Sequence, residues 1–138
     1  MSELRFNFSD PHSRQLIAGQ LPSEIAWVSY SLFIRVEKPQ TITVGRFGRF
    51  TFPAGNYIYS GSARKNILAR LNRHLRKEKK LRWHIDYLLN SANVNIVEVL
   101  VSTIPECDLV AASGGTIVVP GFGASDCRSG CGSHLRRF

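Results

Sequence analysis

The spacing of the apolar residues changes from a period of two to a period of 3.6 just after residue 59, and this change limits the possible folds most. Residues 57–59 are β-branched or aromatic, as in a strand, and small residues follow at 61–63. The apolar residues beyond that turn share one face of a helix: Ile67, Leu68, Leu71 and Leu75. A strand joined by a glycine turn to an amphipathic helix indicates a domain that contains both kinds of element.

The rest of the pattern adds strands and helices around this unit. Strands are expected at residues 25–36, 41–44, 49–52, 57–59 and 95–103, with edge strands near 116–119 and 134–138. Helices are expected at residues 67–80, 83–91 and 106–112. The sum is an α+β fold, with a central mixed or antiparallel sheet of three strands, flanking helices, an inserted β-hairpin and a loop-rich C-terminal tail. We divide the chain into an N-terminal arm at residues 1–24 and a single domain at residues 25–138.

Composition and charge narrow the class of protein. With 138 residues, 43% of them hydrophobic and 20% charged, the chain fits one globular domain rather than a disordered one. The net charge of +8 indicates a polyanionic partner, either nucleic acid or an anionic membrane surface. No signal peptide or membrane-spanning run is evident, and three cysteines do not suggest a secreted disulfide framework. A cytoplasmic protein is therefore expected.

The positive charge is concentrated in one stretch. Nine of the 18 Lys and Arg residues lie between Arg64 and Arg82, where Glu78 is the single acid. A solvated helix face is the alternative, but such faces usually mix charges of both signs. We therefore predict contacts with nucleic acid, and the residues proposed for them are Arg64, Lys65, Arg73, Lys77 and Lys80. Trp83 joins this set as a surface for base stacking if it is exposed, and it is a core residue if another part of the chain covers it.

A second constellation follows the strand at residues 57–59. Tyr59 ends that strand, and the helix after the turn carries Arg70, Arg73 and His74. A phenol, a guanidinium and an imidazole around a glycine turn suit a phosphodiester site, because arginine neutralises the charge that develops on the phosphate in the transition state.

These residues resemble the GIY-YIG nuclease superfamily and, more narrowly, its small Uri-type endonuclease branch, some members of which are fused to endonuclease III. The resemblance extends from about residue 27 to residue 138. It rests on four blocks in order: Gly61-Ser62-Ala63 after Tyr59, Arg73-His74-Leu75-Arg76, Trp83-His84-Ile85-Asp86-Tyr87-Leu88, and Gly121-Phe122-Gly123-Ala124-Ser125-Asp126-Cys127.

The resemblance implies an endonuclease that hydrolyses phosphodiester bonds in DNA, in repair or processing, and RNA stays open as the alternative substrate. The concentration of the basic residues beside this motif argues against a membrane surface as the partner. The resemblance also implies that Tyr30 and Tyr59 lie on neighbouring strands and that Arg70 acts with His74. It further implies that Glu106 holds one Mg²⁺ or Mn²⁺ ion; Glu98 competes for this role, but it lies inside a predicted strand. The alternatives are structural roles for these residues and a catalytically silent nucleic-acid-binding module of the same fold.

The C-terminal tail contains ligand-type residues. Cys107, Cys127, Cys131 and His134 would complete a tetrahedral zinc site, although their spacing is not that of a standard zinc finger. We expect ordinary reduced cysteines rather than a structural Zn²⁺. A zinc-stabilised protein-interaction domain is the third functional hypothesis.

Overall fold

The computed structural model describes residues 3–8, 16, 18–22, 24–63, 65–124, 127 and 129–138. Over these residues the chain is an α+β fold with a six-stranded sheet, a separate two-stranded hairpin and three α-helices. The strands are β1 (Glu3–Asn7), β2 (Ser29–Val36), β3 (Gln40–Val44), β4 (Gly48–Phe52), β5 (Gly55–Ser62), β6 (Val94–Ser102), β7 (Thr116–Ile117) and β8 (Leu135–Arg137). The helices are α1 (Ile67–Leu75), α2 (His84–Leu89) and α3 (Glu106–Ser113), with a short 3₁₀ helix at Ala18–Gln20.

The large sheet has the order β1-β6-β2-β5-β8-β7, and its described pairings are all antiparallel. The long strands β6, β2 and β5 form its centre, and β2 is buried along most of its length. The described sheet therefore has six strands, more than the three predicted for the central sheet. The strand β1, from the predicted arm, pairs with β6. The strand β8 pairs with β5 and β7 pairs with β8, close to the two edge strands predicted in the tail.

The N-terminal arm packs against the rest of the molecule at two points. Leu4 and Phe6 on β1 are partly buried against the core, with polar residues alternating between them. Leu16 is 2% exposed, and its backbone N–H and C=O both bond the side chain of Asn72, each at 2.8 Å. The arm is thus tied to β6 and to α1.

The predicted hairpin is present, with Val44 paired to Gly48 across its turn. It folds over α2, where the ring of Phe47 stacks on His84 at a centroid distance of 4.2 Å. Its turn also approaches Tyr87, because a Cβ atom at Gly45 would lie 3.0 Å from the Tyr87 hydroxyl.

Two element boundaries differ from the prediction. The strand β2 begins at Ser29 rather than at residue 25, because Trp27 bonds back to the carbonyl of Ile25 in a tight turn. The first helix ends at Leu75 rather than at residue 80, and Arg76 is already extended. The Lys79 ammonium donates to the carbonyls of Arg73 and His74, which satisfies the last turn from outside the helix.

The core lies between the sheet and the helices. Its fully buried side chains come from every layer of the fold, among them Leu32, Val36, Phe52, Leu71, Leu88 and Val99. Among the described residues, no helix combines the length and the apolar character needed to cross a membrane.

Candidate functional site

A cavity of about 280 Å³ opens where β2 begins and β5 ends. The starts of α2 and α3 and the C-terminal tail complete its walls. Four of the five predicted catalytic residues, on four different elements, line it. The full lining consists of Tyr30, Tyr59, Gly61, Ser62, Arg70, Arg82, Trp83, His84, Glu106, Gly123, Cys127 and His134.

The two predicted tyrosines lie on adjacent strands. In the pairing of β2 with β5, Tyr30 stands opposite Gly61 and Tyr59 stands opposite Leu32. A Cβ atom at Gly61 would lie 2.5 Å from the Tyr30 hydroxyl and 2.6 Å from its Cζ atom. The glycine after Tyr59 is thus the residue that lets the Tyr30 ring lie across the neighbouring strand.

The fifth predicted residue, His74, lies behind the cavity and holds Tyr30. The Tyr30 hydroxyl and His74 Nε2 are 2.7 Å apart, and both side chains are 2% exposed. Burial, helped by the nearby Lys79 ammonium, lowers the pKa of His74 to about 3, so its imidazole is neutral at pH 7. Its Nδ1 has no hydrogen-bond partner in the described part of the chain. A neutral Nε2 can therefore accept a hydrogen bond from the Tyr30 hydroxyl.

Burial sets the protonation of both phenols. It raises the pKa of Tyr30, and the neighbouring Arg70 guanidinium opposes that shift. It also raises the pKa of Tyr59 well above the usual range for tyrosine, with smaller contributions from Tyr30 and Glu106. The Tyr59 ring packs edge-on against His74 and Phe122. Both hydroxyls are consequently protonated at neutral pH.

Arg70 supplies positive charge to the cavity. It lies in the second turn of α1, and its Nη1 donates to the carbonyl of Ser62 at 3.1 Å. Its guanidinium also lies 4.6 Å from the centroid of the Trp83 ring. Its hydrogen bonds to Ser62 and to the Tyr30 hydroxyl still leave N–H donors among the five of a guanidinium, so Arg70 can bind an anion in the cavity.

The predicted metal ligand Glu106 is the first residue of α3, directly after Pro105. Its side chain is 31% exposed, and its Oε2 lies 3.5 Å from Nδ1 of His134. The competing Glu98 instead pairs with Arg5 on β1 at 3.2 Å, and it does not line this cavity. Of the two carboxylates, Glu106 is the one placed beside Tyr30 and Arg70.

Arg73, predicted to bind nucleic acid, is committed to an internal ion pair. Its Nη1 and Nη2 each donate at 2.8 Å to the carboxylate of Asp86, which is fully buried, and Nη2 also bonds the Lys80 carbonyl. Burial tends to raise the pKa of Asp86, but bonds from Arg73 and from the backbone N–H groups of Trp83 and Arg82 outweigh it and lower the pKa. Arg73 therefore has a structural role, because freeing this guanidinium would leave a buried carboxylate unpaired. Its contact with nucleic acid stays a prediction.

Lys77 was likewise predicted to bind nucleic acid, and it too has a structural role. Its ammonium donates to the carbonyls of Leu89 and Ser91, at 2.7 and 2.9 Å, and to that of Val94. It thereby joins the end of α1 to the turn between α2 and β6, although Lys77 as a whole is exposed, and its contact with nucleic acid stays a prediction. Lys65 and Lys80 have exposed side chains, as predicted for phosphate contacts, whereas Arg64 lies outside the described residues.

Trp83 falls between the exposed and the covered alternatives, because its ring packs partly against the core and also lines the cavity. It is half-buried, and three guanidinium groups lie within 6 Å of its ring: Arg70, Arg73 and Arg82, at 4.6, 4.2 and 5.7 Å. The ring therefore supports the arginines, and cation–π attraction helps to hold the Arg70 guanidinium beside the cavity.

Sequence reasoning missed two lining residues, Arg82 and His84. Arg82 is exposed and was counted only as part of the basic stretch. His84 was named only as part of the block that begins at Trp83, but its Nδ1 accepts a bond from the Gly123 N–H at 3.0 Å and its ring stacks on Phe47. Burial lowers the pKa of His84. Arg82 could have been predicted from the sequence, because it is a basic residue in a basic stretch. The role of His84 could not, because it depends on contacts with two loops that are distant in the chain.

The tail brings its four ligand-type side chains together. One ligand atom from each of Cys107, Cys127, Cys131 and His134 lies within 4.8 Å of the others, so the group could hold a metal ion. The three cysteines are free thiols, and the Sγ atoms of Cys107 and Cys127 are 3.6 Å apart. Cys127 and His134 also line the cavity, so this cluster forms part of its wall.

The chain folds as a small α+β domain with a cavity lined by Tyr30, Tyr59, Arg70 and Glu106. The chain belongs to the family described as Domain of unknown function DUF123, whose model matches residues 29–138, and this is a GIY-YIG-like family. Neither a curated protein nor a solved structure matches the chain.

Proposed function

We propose that this protein is a metal-dependent endonuclease that hydrolyses phosphodiester bonds in DNA, acting in the cytoplasm in repair or processing. Within the GIY-YIG-like families we assign it to the Uri-type branch, on the sequence blocks around Tyr59, Arg73, Trp83 and Gly121. The central strands β6, β2 and β5 would then be the three-stranded core of a GIY-YIG domain.

The observation that carries the proposal is the convergence of Tyr30, Tyr59, Arg70 and Glu106 on one cavity. These residues come from four different elements, β2, β5, α1 and α3. Packing within a single element therefore does not explain why their side chains line the same cavity. A cation, two phenols and a carboxylate are the groups that phosphodiester hydrolysis requires: a charge stabiliser, positioned hydroxyls and a metal ligand.

Arg70 would bind the scissile phosphate. Its guanidinium rests against Trp83 and the Ser62 carbonyl, which fixes its direction before a substrate arrives. Preorganised positive charge stabilises the developing transition state because little rearrangement is needed during the reaction.

Tyr30 and His74 would position the attacking water. Burial lowers the pKa of His74 to about 3, so its imidazole stays neutral and Nε2 can accept a hydrogen bond from the Tyr30 hydroxyl, 2.7 Å away. The Tyr30 oxygen, held in this way, would accept a hydrogen bond from the water and direct it at the phosphate. Tyr59, whose hydroxyl stays protonated, would donate a hydrogen bond to the phosphate or to the water.

Glu106 is the residue that would hold the metal ion. Mg²⁺ usually binds through one or two carboxylates, several waters and the substrate phosphate, so a single half-exposed carboxylate in a polar cavity fits its requirements. A bound Mg²⁺ or Mn²⁺ ion neutralises charge on the phosphate and on the leaving oxygen.

The first prediction concerns cleavage by variants of the cavity. Arg70→Ala should lower the rate of nicking of supercoiled plasmid by about 10²–10³-fold, because it removes a charge stabiliser. Glu106→Gln should abolish the dependence on Mg²⁺ or Mn²⁺ together with most of the activity. Rates are measured by gel electrophoresis over a range of metal concentrations.

Matched controls lie at the opposite end of β2. Arg35 and Glu37 form an exposed ion pair at 3.6 Å, and Arg35→Ala and Glu37→Gln should cut at the rate of the wild type. Normal cutting by both cavity variants would refute the site assignment. Duplex, single-stranded, branched and damaged DNA, together with RNA, should be compared in the same assay. Salt-sensitive binding without cleavage on all of them would favour the silent binding module.

A further inference from the structure

We propose that Cys107, Cys127, Cys131 and His134 form a structural zinc site that fastens the C-terminal tail to α3, beside the nuclease cavity and separate from its catalytic metal. This inference does not depend on the proposed function, because it concerns four side chains that carry no role in cleavage.

The geometry of the cluster matches the requirements of tetrahedral zinc. Zinc–sulfur bonds of about 2.3 Å at tetrahedral angles place two sulfur ligands roughly 3.8 Å apart. The Sγ atoms of Cys107 and Cys127 are 3.6 Å apart, and the ligand atoms of all four residues lie within 4.8 Å of one another. Three sulfurs and one imidazole are the Cys₃His set of closed structural zinc sites.

His134 supplies an independent observation. Its side chain is 3% exposed, yet Nε2 has no hydrogen-bond partner in the part of the chain that the structure describes. A buried polar nitrogen left without a partner is costly, and a zinc ion would satisfy it. Nδ1 is already 3.5 Å from the Glu106 carboxylate. Carboxylates commonly hold the second nitrogen of a metal-binding histidine in this manner, so Nε2 is the assigned zinc ligand.

The backbone around the cluster is constrained as well. The His134 carbonyl accepts a bond from the Ser60 N–H on β5, and the His134 N–H donates to the carbonyl of Phe122. A metal at this point would link α3, through Cys107, to a tail that already contacts the central sheet. The tail, from residue 114 onward, has few long elements of its own, so cross-linking it should add to the stability of the cavity wall.

The test is metal analysis of the recombinant protein, produced with zinc in the medium and analysed without nucleic acid. Mass spectrometry should detect about one zinc per chain, as in closed Cys₃His sites. Cys127→Ser and Cys131→Ser should lose most of the bound zinc and melt at a lower temperature. Ser129→Ala, an exposed change between the two cysteines, should keep it.

A second measurement uses only the wild-type chain, in case the cysteine variants fail to fold. Titrating the thiols with a mercurial reagent should release zinc in proportion to the thiols modified. Exchange with Co²⁺ should produce the intense visible bands of a tetrahedral thiolate complex. Three freely reactive thiols with neither zinc nor cobalt bound, or a Cys107–Cys127 disulfide in the purified protein, would overturn the proposal.

The zinc site and the nuclease are tested separately by Arg70→Ala, which should keep its zinc while losing cleavage. A chain that binds zinc but does not cut would leave the zinc site standing and refute the endonuclease. A chain that cuts DNA but holds no zinc would refute the zinc site and support the endonuclease.

Discussion

The closest packing in the candidate site is between Tyr30, Gly61 and His74. Gly61 has no Cβ atom, so the Tyr30 ring can cross β5 and its hydroxyl can reach His74 Nε2. Because Gly61 has no side chain, Tyr30, a catalytic candidate on the neighbouring strand, can occupy this position.

Gly61→Ala tests this packing. The added methyl group would lie 2.5 Å from the Tyr30 hydroxyl, so the ring must move and its bond to His74 must break. We expect a loss of about 1–3 kcal/mol in the free energy of unfolding, as for an overpacked core, together with slower cleavage. Urea denaturation measures the first effect. Gly19→Ala is the matched control, since nothing lies within 4 Å of its added Cβ, and equal stability of the two variants would contradict the argument.

His74 makes the stability of the fold depend on pH. Burial lowers its pKa to about 3 in the folded chain, whereas an unfolded histidine has a pKa near 6.5. Between pH ~3 and pH ~6.5 the unfolded chain binds one proton more than the folded chain does. The stability that the neutral His74 contributes is therefore fully present above pH ~6.5 and is lost as the pH falls. The slope contributed by one such group is at most about 1.4 kcal/mol per pH unit.

His74→Gln should flatten that slope between pH ~6.5 and ~4.5, above the range in which most carboxylates titrate. The pKa of Asp86 is lowered, so its contribution to the free energy of unfolding is lost only at a pH below this range. The measurement is urea unfolding at a series of pH values. Identical slopes for the variant and the wild type would show that His74 is protonated in the folded state.

At the scale of elements, the basic stretch divides into cations that hold the fold and cations that face solvent. Arg73, Lys77 and Lys79 bond a buried carboxylate or backbone carbonyls, and burial lowers the pKa of Lys79 to about 8. Lys80 and Arg82 remain exposed. The stretch thus joins α1 to α2 with part of its charge and presents the remainder to solvent.

The variants Lys77→Met and Lys80→Met test the fold-holding role and the solvent-facing role separately, and each variant is the control for the other. Lys77→Met keeps the aliphatic stem but removes the ammonium from three carbonyls, and it should cost about 1–3 kcal/mol in unfolding free energy with little change in DNA affinity. Lys80→Met should change stability by less than about 0.5 kcal/mol. It should also weaken DNA binding and reduce the salt slope by about one. Fluorescence anisotropy at several salt concentrations gives the slope, and the reverse pattern would refute the division.

The apolar spacing allowed most elements to be predicted, and long-range contacts explain where it failed. The hairpin, β6 and α3 begin and end within a residue or so of their predicted limits, because period and turn residues are local signals. The end of α1 could not be predicted in this way. It depends on Lys79 bonding back to its last turn, and nothing in a run of basic residues distinguishes that lysine from its neighbours.

At the scale of the whole molecule, residues far apart in the chain form the site. Tyr30, Arg70 and Glu106 were identified before the structure through their resemblance to a known motif, and they line the same cavity. The contacts of His84 and of His134 depend on how the hairpin and the tail fold back onto the sheet. Local patterns carry no signal for such docking, which explains why the four ligand-type residues of the tail were first expected to be ordinary.

The position of β8 inside the sheet has a consequence for synthesis on the ribosome. This late segment lies between β5 and β7, and His134 just before it closes the cavity against Ser60. A nascent chain can assemble β2, β5 and α1 early, but its cavity lacks a wall until residues 134–137 have left the exit tunnel. The cavity is therefore complete only after these residues have emerged, and a nascent chain that stops before them has an unfinished wall.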